Sequence, residues 1–101
     1  MVIYNITTLV DPSILNPWLT WMREEHLPRL METGCFLRSQ FVRLLDTDET
    51  HGLTFAIQLY AENRAACDHF AEAFEPSLER ESRRLWGEKS LSFRTLMEVV
   101  N

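Results

Sequence analysis

Hydrophobic residues in this chain repeat first with a period of two, then of about 3.6, then pass through a mixed-parity strand stretch into a second period of two, then one of 3.6, and finally one of two; this order limits the fold more than any other feature. Val2, Tyr4, Ile6, Thr8 and Val10 share one face at period two, in a stretch rich in β-branched residues, and predict a first strand. Asp11-Pro12 ends it. Asn16-Pro17 has the form of an N-cap followed by proline at the first helical position. Leu19, Met22, His26 and Leu30 then form one apolar stripe, with Arg23, Glu24 and Glu32 turned to water. Pro28 lacks an N–H and clashes with the preceding turn, so a kink or restart is expected near His26 and Leu27. Gly34 supplies a left-handed C′ residue.

From Cys35 to Asp46 apolar residues occur in both parities, which predicts a strand buried on both faces or bulged near Ser39. The polar run Asp46-Thr47-Asp48-Glu49-Thr50 is a turn, and His51 to Tyr60 alternates cleanly, so the pair reads as a hairpin with Leu53, Phe55, Ile57 and Leu59 facing the core. Asn63 caps a second helix that buries Ala66, Phe70, Ala73 and Phe74, until Glu75-Pro76 breaks it; a further helical piece runs from Pro76 through Leu78 and Leu85 to Trp86 and Gly87. Glu79 and Arg83 form a favourable i,i+4 pair. Leu91 to Val100 is a last strand, with Leu91, Phe93, Met97 and Val99 on its inner face. Strand, helix, strand, strand, helix, strand predicts an α+β, ferredoxin-like domain over residues 1–101: a four-stranded antiparallel sheet with two kinked helices on one face.

Composition narrows the function classes. Ten Lys plus Arg stand against fifteen Asp plus Glu, a formal net charge of -5 that repels phosphate backbones and anionic membranes, so neither nucleic acid nor membrane is an expected partner. No apolar run reaches the roughly 20 residues of a membrane-spanning helix, and no signal-peptide order opens the chain, which predicts a cytoplasmic protein. Cys35 and Cys67 have neither a CxxC nor a Cys/His ligand spacing; they read as free thiols, with no metal site and no cofactor expected. Gly52 to Ile57 faintly resembles the aromatic strand motif of RNA-recognition domains, but Phe55 falls on the buried parity, where it cannot stack a base.

Two helices cover one sheet face and leave the other to water, a partner or a ligand. Read by alternation, the open face carries Asn5, Thr7, Arg38, Gln40, Val42, Leu44, Thr54, Ala56, Gln58, Tyr60, Arg94 and Leu96. Such a mixed face suits sheet-to-sheet packing in a homodimer, since Val42, Leu44 and Leu96 otherwise form an exposed apolar patch. Arg38 and Arg94 there call for an anionic partner, either a carboxylate of the second copy or a small anionic ligand. Of three histidines, His26 alone lies on an inner helix stripe; a hydrogen-bonded core histidine is the plainer reading, and a proton carrier the sharper one. Trp18, Trp21 and Trp86 read as packing residues.

Val2-Ile3-Tyr4-Asn5, Trp18-Leu19-Thr20-Trp21-Met22 leading to His26-Leu27-Pro28, Thr33-Gly34-Cys35-Phe36 and Phe93-Arg94-Thr95 together resemble a family of short bacterial proteins classed as a domain of unknown function. The resemblance spans nearly the whole chain, with Pro17 as a departure in the first helical turn. It implies a dimeric α-β barrel of ferredoxin-like units, a group that includes cofactor-free monooxygenases and small isomerases, and it supplies no catalytic residues. Two functions follow as expectations. The first is a non-catalytic homodimer binding a small molecule or partner protein between its sheets through Asn5, Arg38, Gln58, Tyr60 and Arg94. The alternative is a cofactor-independent monooxygenase-like or isomerase-like enzyme, with a pocket between sheet and helices, in which His26 moves the proton, Tyr60 and Asn5 orient an oxygen, and Arg38 or Arg94 holds the substrate.

Overall fold

In the computed structural model, which describes residues 1–101, the chain runs β1 (Val2–Val10), α1 (Leu15–Trp21), α2 (Leu27–Glu32), β2 (Arg38–Arg43), β3 (Leu53–Ala61), α3 (Arg64–Ala73), α4 (Glu75–Trp86) and β4 (Ser90–Glu98). The sheet order is β2-β3-β1-β4, and every neighbouring pair is antiparallel. The β-α-β-β-α-β order read from the sequence is therefore the order found. No helix is long and apolar enough to cross a membrane.

The first helical layer starts earlier than the sequence suggests. Asp11, not Asn16, is the cap: its carboxylate accepts from the Ser13 amide at 2.8 Å, and a 3-10 turn over Pro12–Ile14 leads into α1. Pro12 already offers the fixed φ of a first helical residue, so Asn16 and Pro17 fall inside the opening turn of α1. Between α1 and α2 lies one π-helical turn, Met22–His26, closed by the Leu27 amide donating to the Met22 carbonyl. Pro28 has no N–H to continue the α ladder there; the expected interruption takes this form. The stripe stays intact across it, with Met22, His26 and Leu30 buried and Leu19 half-buried.

Val10, Phe55, Ile57, Leu59 and Ala61 from the sheet pack against Trp18, Trp21, Met22, Leu30 and Phe70 from the helices. Trp18 wedges between Phe41 and Phe55, its ring centre 6.0 and 5.3 Å from theirs. Asn63 caps α3 as expected, accepting from the Ala66 amide at 3.0 Å. On α3 the buried side is Cys67 and Phe70, while Ala73 is exposed, because α3 stops at Ala73 and the chain turns into α4. Gly52 sits where β3 passes the end of β1: a Cβ there would lie 2.2 Å from the Val10 carbonyl oxygen, so only glycine fits.

Two expectations about the strands are corrected. The strand expected over 35–46 is regular only over Arg38–Arg43, and its pairing with β3 runs through Ser39 without a bulge: Phe41 goes to the core, and Arg38, Gln40 and Val42 to the open face. The second correction concerns β4, whose faces are the reverse of those expected. Thr8 is the Cα partner of Ser92, Ile6 of Arg94 and Tyr4 of Leu96, so Arg94 and Leu96 lie on the helix side, while Leu91, Phe93 and Met97 lie on the open face. The hydrogen bond between the Thr8 and Ser92 hydroxyls, 2.7 Å, belongs to the helix side as well. Because β4 is an edge strand, its apolar parity marks the face that still needs covering rather than the core.

Candidate functional site

The reversed β4 creates a cavity. On the helix side it offers Ser90, Ser92 and Arg94 where bulkier apolar residues would fill the space below α4, and a cavity of about 460 Å³ remains between β4, α4 and the His26 turn. Leu30, Phe70 and Leu78 form its apolar wall. Its polar wall is a network. The Tyr4 hydroxyl lies 2.7 and 2.8 Å from the two carboxylate oxygens of Glu75 and donates to that carboxylate, to which Arg94 Nε also donates. The second arm of Arg94 reaches Glu79 Oε2 at 3.1 Å. Burial, together with the Glu75 carboxylate, pushes the Tyr4 hydroxyl well above its ordinary pKa, so it stays a donor. Burial acts against the charge on Arg94, but the bond to Glu75 and the Glu79 charge outweigh it and hold the guanidinium charged.

His26 closes the inner end. It is 9% exposed and stacks on Trp21 with ring centres 4.4 Å apart. Its Nδ1 is fully buried and has no hydrogen-bond partner. Burial is the largest influence on its pKa, with the Arg29 charge second, and together they lower it from 6.5 to about 4 against the opposing pull of Glu81. At neutral pH the ring is an uncharged imidazole on a cavity wall. The plainer expectation, a hydrogen-bonded core histidine, does not hold at Nδ1.

The candidates named from sequence separate into two groups on opposite sides of the sheet. Asn5, Arg38, Gln58 and Tyr60 meet on the open face, where Asn5 is the Cα partner of Gln58 and Arg38 of Tyr60. Asn5 Nδ2 donates to Thr7 Oγ1 at 3.0 Å, the Arg38 guanidinium lies 3.7 Å above the Tyr60 ring, and the Tyr60 hydroxyl reaches Gln58 Oε1 at 3.5 Å. His26 and Arg94 are on the other side, at the cavity. The constellation of His26 with Tyr60 and Asn5 around one substrate is thus not formed, since the sheet itself intervenes. Arg94 finds its carboxylates, Glu75 and Glu79, within its own chain, not in a ligand or a second copy. Sequence reading overlooked Tyr4 as a polar group and took Glu75 only as a helix breaker. An acidic residue beside Pro76 at the start of a helix was the available signal, because the first turn favours carboxylates.

Residues 1–100 match the family model described as Domain of unknown function (DUF4286). The chain belongs to that family. No curated protein sequence matches this DUF4286 chain. Among solved structures it is similar to an ethyl tert-butyl ether D (EthD) family protein from Bacillus halodurans c-125, with a TM-score of 0.70 and 11% identity over 99% of this chain and 100% of that one. A structure described as antibiotic biosynthesis monooxygenase is similar with a TM-score of 0.67 and 17% identity over 100% of both chains. A dimeric ferredoxin-like protein of unknown function from Jannaschia sp. CCS1 gives 0.56 and 16% over 98% and 100%. At these identities the likeness establishes the fold: α+β, ferredoxin-like, with the helices on one face of a four-stranded antiparallel sheet.

Proposed function

We propose that this DUF4286 protein is a cytoplasmic homodimer that packs open sheet face against open sheet face and binds a small organic molecule in the cavity between sheet and helices of each copy. The observation that carries the binding reading is the cavity of about 460 Å³ itself, walled by Leu30, Phe70 and Leu78 on one side and by Glu75, Arg94 and the His26 ring on the other. A concave apolar wall with a few convergent polar groups is the usual form of a small-molecule site.

The dimer reading rests on the open face. Leu91 and Phe93 are 56% and 61% exposed on β4, in line with Ile3 and Leu9 of β1 and Val42 of β2, an apolar surface that a second copy would cover. Arg38, stacked on Tyr60, would then offer its donors to a carboxylate of the second copy or to a small anion held between the sheets. The Jannaschia protein of the same fold is described as dimeric, which supports a dimer without specifying its face. Two free thiols suit a reducing cytoplasm.

The neutral His26 ring beside the cavity also favours a second reading, a cofactor-independent isomerase-like or monooxygenase-like enzyme on the fold it shares with the antibiotic biosynthesis monooxygenase. A ring whose pKa is held near 4 is a weak base at neutral pH, and general bases work best when their pKa lies near the working pH, so binding without catalysis ranks first. Native mass spectrometry of the protein purified from its expression host reads both halves of the proposal. A dimer retaining a small-molecule mass is expected. A monomer at micromolar concentration overturns the sheet-to-sheet packing, and a dimer that carries only another polypeptide replaces the small molecule with a protein partner.

A further inference from the structure

Resting on the reading that the cavity between sheet and helices holds a ligand, we infer that the ligand is a molecule without negative charge, with an apolar body and a carbonyl-type oxygen that accepts a hydrogen bond from His26 Nε2–H. The two ring nitrogens decide the polarity of the contact. Nδ1 is inaccessible and unpartnered, which leaves Nε2 as the nitrogen to meet the cavity. A neutral imidazole carries one proton, and a buried N–H with no acceptor is a rarer orphan than a buried lone pair. The proton therefore sits on Nε2, and the ring presents a donor. Burial keeps the ring in this neutral form at physiological pH.

The rest of the wall selects against an anion. Glu75, Glu79 and Glu88 line the cavity along with Arg83 and Arg94, an excess of one negative charge. Arg94 is already engaged by Glu75 and Glu79, and Arg83 is an exposed side chain in a surface i,i+4 pair with Glu79 at 3.5 Å. An anion entering here meets three carboxylates and, at Arg94, a guanidinium already paired with two of them. Leu30, Phe70 and Leu78 provide the apolar contact for the body of the ligand.

Three probes of one shape separate the possibilities: acetophenone, its hydrocarbon isostere isopropenylbenzene, and benzoate. Each is titrated into the isotopically labelled protein at neutral pH while NMR follows the amides of Ser82, Gly87 and Ser92 on the cavity wall, and a long-range imidazole spectrum reads the tautomer of His26. The expected result is the Nε2–H tautomer, with acetophenone binding about tenfold more tightly than isopropenylbenzene, the equivalent of one buried hydrogen bond, and benzoate binding weakest. In His26→Phe, which keeps a ring against Trp21, the preference for acetophenone should vanish while isopropenylbenzene still shifts the same amides. A proton on Nδ1, equal binding of acetophenone and isopropenylbenzene, or tightest binding by benzoate would each overturn the ligand class and leave the cavity as a binding site. If no probe moves those amides, the binding reading of the cavity fails and this assignment falls with it.

Discussion

Among individual residues, His26 lies in the environment least like water for a group that titrates near neutrality. Its folded pKa of about 4 lies below the ordinary 6.5, so between those values the unfolded chain binds the proton that the folded one refuses. Stability contributed by the neutral ring is fully present above about pH 6.5 and is lost as the pH falls toward 4, by about 3 kcal/mol in all. Urea unfolding of wild type and His26→Phe across that window should show the acid loss in the first and a much flatter profile in the second. Sequence periodicity placed His26 on the inner stripe, because helical spacing is local. It was silent on the missing partner of Nδ1, which depends on the tertiary packing that buries the ring, the stack on Trp21 included.

Secondary-structure elements end where short-range chemistry ends them. Asn63, Gly34 and Pro28 each act within a few residues, and each marks in the structure the boundary or interruption read from sequence. Asn63→Ala should remove the hydrogen bond to the Ala66 amide and cost about 1 kcal/mol, seen as a lower urea midpoint with an unchanged slope. The start of the first helix was misplaced because two proline-containing signals compete, Asp11-Pro12 and Asn16-Pro17, and the earlier one captures the turn. Edge strand β4 was harder still. Its apolar residues Leu91, Phe93 and Met97 obey the same alternation as a core face, and a period of two cannot say which side the helices cover.

For the whole molecule, the consequence of that reversal is an apolar β4 stripe, Leu91, Phe93 and Met97, along one side of a mixed open face, and a hollow helix side. If the proposed homodimer forms through the open face, Phe93→Glu should dissociate it, since a carboxylate in the apolar β4 stripe must then be desolvated. Sedimentation velocity at micromolar concentration is expected to show wild type as a dimer and the variant as a folded monomer. A variant that sediments like wild type would move the interface elsewhere. Substituting Arg94, by contrast, should leave the oligomeric state alone, because its carboxylate partners are intramolecular.

The order of elements, the hairpin, the parity of β1 and β3 and the fold class were determined by the sequence itself, through propensity, capping and periods that operate over a few residues. Which face β4 turns inward, which carboxylates hold Arg94, and the division of Asn5, Arg38, Gln58 and Tyr60 from His26 by the thickness of the sheet were decided only in three dimensions. Each of these depends on strand register between residues far apart in the chain. A shift of one residue in that register exchanges the two faces without altering a single local preference.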